Sequence, residues 1–244
     1  NTASGVYSTA LGILTTASGS YSTAFGVSTA ASGTTSTAFG STTTSSGYAS
    51  TAFGSVTTAS SLASTAFGHR TTASGEISTA FGYLNTAPSY GEAVFGIGAT
   101  IYTPSINGDT QFRTANATDR LFVVGNAIDL NNNTNVDIAE RSDALIVLKN
   151  GLTRLPSTTN AMITAADGKA VVTKEYLEQN GSWSVTGNAG TTISNFIGTT
   201  DLQPFSIRTN NATRVRILDT GELGIGTTNP QEKLHVSGPA GLTA

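Results

Sequence analysis

Near the middle of the chain, oxygen-bearing side chains recur at alternate positions. Asp129, Asn131, Asn133, Asn135 and Asp137, with Glu140 three residues on, fill positions 1, 3, 5, 7, 9 and 12 of a loop. This is the ligand spacing of an EF-hand calcium loop, in which hard oxygens surround a hard cation. Val136 supplies the apolar residue at position 8. Position 6 is Thr134, where the sharp turn calls for glycine, and the flanking residues have strand character rather than helix character. The alternative is an Asn-rich connection whose acids are solvated and hold no ion. Calcium is the only cofactor the residues suggest.

No other grouping has the spacing of a reactive site. His69 and His235 are the only histidines and fall in different segments. His69 reads as a solvated decoration of a turn, and His235 as a satisfied residue in a strand. Serines are plentiful, but no Ser-His-Asp order is marked and no two carboxylates are paired. Gly224-Ile225-Gly226 is not a phosphate loop, because Pro230 follows too soon for a helix. The chain reads as non-enzymatic. Its 244 residues include no Cys, carry only 11% charged residues and have a net charge of -3. That balance argues against a nucleic-acid footprint. No apolar stretch reaches the ~18 residues of a membrane span, so no membrane insertion is expected.

The elements that must position these residues begin with a repeat. Ser22-Thr23-Ala24-Phe25-Gly26 returns four more times at a step of 14, with a Leu copy at Ser8-Thr9-Ala10-Leu11-Gly12 and a degenerate copy at Glu92-Ala93-Val94-Phe95-Gly96. A weaker Thr-Ala-Ser-Gly half lies midway between copies. A fixed short period marks a solenoid. Glycine in most heptads excludes a coiled coil, since each costs a helix roughly 1 kcal/mol. The fold class is therefore all-β: each half-repeat is a short strand closed by a Gly turn, and two halves make one 14-residue coil of a β-roll. Alternation points Ser22 and Ala24 inward with Thr15 and Ala17, and points Thr23 and Phe25 outward. Leu11, Phe25, Phe39, Phe53, Phe67, Phe81 and Phe95 then form an apolar ladder. A lone chain should not leave such a stripe wet, so the ladder reads as a subunit interface.

Ser-Thr-Ala-Phe-Gly alternating with Thr-Ala-Ser-Gly resembles the head repeats of trimeric autotransporter adhesins, over residues 1–98. The resemblance implies a left-handed parallel β-roll with three chains around one axis. The outer positions here are monotonous, which argues against ligand binding by the roll itself.

Beyond residue 98 the period is lost. Residues 101–112 read as short strands about a turn at Asn107-Gly108. Asp119-Arg120-Leu121-Phe122-Val123-Val124-Gly125-Asn126 and the run from Ser142 to Gly151 read as antiparallel strands joined by the Asn-rich loop. Thr173 is a candidate N-cap for a short helix, and Trp183 opens another β segment. A hairpin is expected where Phe205-Ser206-Ile207-Arg208-Thr209 and Arg214-Val215-Arg216-Ile217-Leu218 flank Asn210-Asn211. Together with Leu223-Gly224-Ile225-Gly226 and Lys233-Leu234-His235-Val236, this resembles the shaft modules of bacteriophage tail fibres and surface fibres. Such modules often precede an endosialidase-type intramolecular chaperone, whose sequence is not seen here. The expected division is a β-roll at 1–98, a β-rich shaft module at 99–168, a short helical connector at 169–182 and a β-rich tail-fibre-like module at 183–244. Opening inside a repeat, without a cap, is expected of a segment of a longer protein.

The function expected is a structural segment of an extracellular homotrimeric adhesive fibre, on a bacterial surface or a particle. Its partner is itself, and a cell-surface or glycan ligand would be met by regions outside this segment. One alternative is a phage or contractile-particle tail fibre for host recognition. Another is an ice-binding-type solenoid, suggested by the ladder Thr9, Thr23, Thr37, Thr51, Thr65 and Thr79. Those threonines share a face with the phenylalanines, which argues against it.

Overall fold

A computed structural model describes residues 1–133, 135–165, 171, 173, 174, 177 and 191–238. The chain divides into two units, Asn1–Tyr176 and Leu177–Ala244.

The first unit is a parallel β-solenoid of 14-residue coils. Each coil gives one two-residue strand, such as Thr16–Ala17, to a seven-stranded sheet. It gives one five-residue strand, such as Thr23–Val27, to a second sheet. Successive strands pair in parallel at an unbroken step of 14, so Ala24 faces Ala38 and Phe25 faces Phe39. Like residues therefore stack, and the interior is four columns of small side chains, those of Thr15, Ala17, Ser22 and Ala24. Ala17, Ala24, Ala31, Ala38 and Ala52 are fully buried, as are Ser22, Ser36 and Ser50. The inward and outward assignments made by alternation hold.

The turns differ from expectation. The glycine after each Phe lies inside the five-residue strand, where Gly26 has φ 131°. A Cβ there would sit 1.9 Å from the carbonyl oxygen of Gly40 in the next coil. Glycine at this column is set by close stacking as well as by backbone conformation. The left-handed turn residues are non-glycine until the last coil: Leu14, Ser28, Thr42, Val56, Arg70 and Leu84 after the long strand, and Tyr7, Tyr21, Thr35, Ala49, Ala63 and Ile77 after the other half, with Gly98 and Gly91 ending the two columns. The coil-to-coil hydrogen bonds hold them in place, as in Ser28 N–H to Ile13 O at 2.8 Å.

Such a stack has translational freedom only in whole coils. Deleting residues 26–39 joins Phe25 to Gly40 and is expected to leave a folded roll shorter by about 4.8 Å. Deleting residues 26–32 places a polar half-coil on the Phe side and is expected to lower the melting temperature sharply. Circular dichroism melting of the two deletions checks this; equal stability would refute the two-sided coil.

The sheet does not end at the boundary expected at residue 98. Strand Arg120–Asn126 adds in parallel onto Ala93–Ile97, with Val123 continuing the buried Ala column. Asp143–Leu148 then pairs antiparallel with it, and Thr153–Arg154 follows. The antiparallel pair around the Asn-rich loop is as expected. Among the described residues, 101–112 holds turns and no strand, because its polar groups bond to side chains instead: Ser105 N–H donates to Asp119 and the Ile106 carbonyl accepts from Asn116. A helix not foreseen from the sequence covers Asn160–Ala165. The proposed connector at 169–182 and the segment opening at Trp183 lie largely or wholly outside the described residues.

The second unit contains a four-stranded sheet, in the order Phe205–Thr209, Ala212–Ile217, Leu223–Ile225, Leu234–Val236. Its hairpin turns on Asn210 and Asn211, both at positive φ (48° and 55°), as a two-residue turn of the I′ kind requires.

Candidate functional site

The outer face of the five-residue strands carries the phenylalanine ladder. From Phe25 to Phe81 the rings stack at 4.8–4.9 Å, with interplanar angles of 2–7°. Phe95 continues the run at 5.8 Å, tilted, and meets Phe122 at 5.8 Å. Neighbouring rings cover each other's faces and leave the edges bare. Phe39, Phe53 and Phe67 remain 39% exposed and Leu11 58%. Residues two further along each strand share this side, so Ile13 and Val27 widen the stripe at one end. At the other end stand His69 and Tyr83, whose rings stack at 5.4 Å. The opposite sheet presents Thr and Ser outward. The solenoid therefore has one apolar side and one hydroxyl-rich side.

The last coil breaks the repeat in its interior, and its end is closed there. Asn85 stands in the Thr column; its amide donates to Phe81 O and Gly96 O at 2.8 Å, and its oxygen accepts from Ala99 N–H at 2.9 Å. Glu92 stands in the Ser column and is fully buried. Arg120 reaches it from the added strand, with Nε 2.8 Å from Oε1, while Ser89 N–H donates to Oε2. The same guanidinium donates to the Thr100 carbonyl at 3.0 Å, lies 3.8 Å from Asp143 and sits over the Tyr102 ring at 4.5 Å. Tyr102 in turn donates to Asp119.

Burial pushes the Glu92 carboxyl up to about 7, with Arg120 and the Ser89 N–H opposing. Burial works against ionised Asp119 as well, but there the hydrogen bonds from Tyr102 and Ser105 win and hold it below the usual range. These residues plug the solenoid with a buried polar network in which only Arg120 Nη2 has no hydrogen-bond partner. Sequence reasoning missed them, although the departure of the seventh copy from the consensus was the available signal.

The Asn-rich loop is strapped to the roll beside this plug. Asn135 Oδ1 accepts from Arg70 at 3.2 Å and from the Tyr83 hydroxyl at 3.1 Å. Arg141 donates to Leu84 O and Ala99 O. Within the loop, Glu140 is buried, and its two oxygens accept from Leu130 N–H and Asp137 N–H, each at 2.9 Å. Asp137 accepts from the amides of Asn131 and Asn133, and Asn133 N–H donates to Asp129. The carboxylate meant to grip calcium with both oxygens is thus tied to the main chain. Among the described residues, no three His, Cys, Asp or Glu side chains are grouped to hold a metal ion. The melting curve is expected to be the same in calcium and in chelator, whereas Glu140→Ala should cost about 1–3 kcal/mol by orphaning two N–H groups. A chelator-dependent fall in melting temperature would show that the loop binds calcium.

His69 and His235 lie in separate units. His235 Nδ1 accepts from Gln231 N–H at 3.3 Å.

Among protein families, the model for the YadA head domain repeat (2 copies) matches at residues 3–29, 31–56 and 59–85. The resemblance of residues 224–238 to fibre shaft modules finds no such match, and no curated protein matches the chain. Within this solenoid, residues 3–29, 31–56 and 59–85 are therefore similar to YadA head domain repeats.

Proposed function

We propose that the chain is a structural segment of a homotrimeric adhesive fibre, in which the roll is a spacer and the phenylalanine ladder joins the subunits. The observation that carries this is the stacked, edge-exposed row from Phe25 to Phe95 on one side of a solenoid whose other side is hydroxylated. Three copies can bury their apolar sides around an axis and leave the Thr/Ser sides to water. The YadA head repeats support the same assembly and a place at the cell surface. The ladder also weighs against the ice-binding alternative, since its threonines lie on the face assigned to the axis. Among the described residues, no helix is long and apolar enough to cross a membrane. Ligand contact falls to regions outside this segment. Sedimentation of the full chain tests the reading: a particle three times the 24.8 kDa chain mass is expected, and a stable, well-folded monomer would overturn it.

A further inference from the structure

The second unit's sheet has its polarity reversed relative to what a solitary sheet needs. Register places its apolar residues in two rows across all four strands. Phe205 pairs with Ile217, Ile217 with Leu223 and Leu223 with Leu234; Ile207 pairs with Val215, Val215 with Ile225 and Ile225 with Val236. Directly paired residues share a face, so all eight project to the same side. The other side carries Ser206, Arg216, Gly224 and His235.

The chain's own loop covers the polar side. Pro230 is buried, a Cβ on Gly224 would meet Thr227 O at 2.6 Å and Pro230 at 3.5 Å, and Gln231 N–H bonds His235. The apolar side is left open: Ile207 is 51% exposed, Leu234 59%, and Ile217, Ile225 and Val236 41% each.

We propose that this face is a second self-association surface, covered by the same face of other copies of this chain. The proposal rests on the homotrimer reading, and size decides the occupant. The five exposed residues offer on the order of 450 Å² of apolar surface, the size of the largest and often functional patch on a monomer (about 300–600 Å²) and below the ~800 Å² per partner of a stable free complex. A patch of that size holds a tethered partner better than a diffusing one. Once the roll has joined three chains, the nearest identical faces are linked to its sheet by about 50 residues, between Arg154 and Phe205, which sets an effective concentration on the order of millimolar. The neighbouring copy therefore outcompetes any free partner. Its own apolar rows match in kind, with no charge to leave unpaired.

The chain lacks Cys, so single thiols can report on the face. Ile225→Cys on the apolar side and Arg208→Cys on the polar side are made in the full chain and treated with a maleimide reagent. In the assembled particle, Ile225→Cys is expected to react at least tenfold more slowly. On dilution to separated chains, the two rates should come within about twofold. Leu234→Cys, on the same face, serves if Ile225→Cys does not fold. Equal rates in an assembled trimer would sink this proposal and leave the roll-based assembly standing. Protection that persists in separated chains would show that the chain covers the face itself, and would also overturn it. A chain that is monomeric at every concentration fails the homotrimer reading first, and this proposal with it.

Discussion

Phe53→Ser is expected to separate the assembled chains. Phe53 lies at the centre of the ladder, stacked at 4.8 Å on Phe39 and 4.9 Å on Phe67. Each neighbour covers one ring face, so the substitution bares two more faces besides removing its own ring. Truncating a packed Phe costs about 3–5 kcal/mol, and symmetry applies the loss three times in a trimer. The backbone of the coil has no need of the ring: Thr51, Ala52 and Gly54 keep their pairing with the coils on either side. Separated chains should therefore retain their strand signal and bind a hydrophobic dye along the exposed stripe. Thr58→Ser, on the hydroxylated side, should change neither mass nor dye binding. Sedimentation of the two variants beside the wild type decides the matter. A Phe53→Ser chain that stays assembled at micromolar concentration would show that the ladder does not hold the subunits.

Above about pH 7, where Glu92 ionises, Arg120→Ala should destabilise the solenoid end by about 3–5 kcal/mol, because it strands Glu92 and Asp143 in the interior without their cation. The penalty should depend on pH. Glu92 in the folded chain holds its proton up to about 7, above its ordinary 4.5. A raised value means that its contribution is fully present below pH 4.5 and is lost as pH climbs through 7. The wild type is thus expected to lose about 3 kcal/mol of the closure over that window. Without Arg120 the carboxyl should hold its proton to still higher pH, so the loss extends further upward. Glu92→Ser restores the residue used by the other coils; combined with Arg120→Met it should recover most of the stability and flatten the pH dependence. Melting temperatures between pH 4 and 9 for the three chains provide the check. A pH-independent Arg120→Ala would show that Glu92 does not close the solenoid.

The repeat was legible because its signal is redundant. Seven copies at one step, with small Ala, Ser and Thr at the inward positions and Phe or Leu at one outward position, leave only one way to fold a coil. The antiparallel pair around the Asn-rich loop and the Asn210-Asn211 hairpin were legible for local reasons, from strand patterns and turn chemistry. What the sequence hid were effects of stacking. Gly26 and its equivalents read as turn formers, but the backbone of the next coil at 1.9 Å from a would-be Cβ is what demands glycine there. Val56 gives no hint of positive φ, because the hydrogen bond from its N–H to Ser41 O depends on a residue fifteen positions away. The plug was hidden because Glu92 and Arg120 are 28 positions apart and meet only after an insertion in the solenoid. The Asn-rich loop carried a metal-like spacing, yet its oxygens were recruited to its own N–H groups and to Arg70 and Tyr83.

The parallel stacking of coils also determines how the segment responds to a pull. The bonds joining one coil to the next run along the stacking direction, so tension between the roll's two ends loads them head-on rather than in shear. They should give way coil by coil, beginning at the end away from the Glu92 plug. Each release would exchange about 4.8 Å of stacked rise for roughly 48 Å of extended backbone. A solitary roll would thus yield length at low force, like a seam unpicked stitch by stitch. Bound side by side through their phenylalanines, three rolls must give together, and the same seam becomes a stiff mooring line with slack held in reserve.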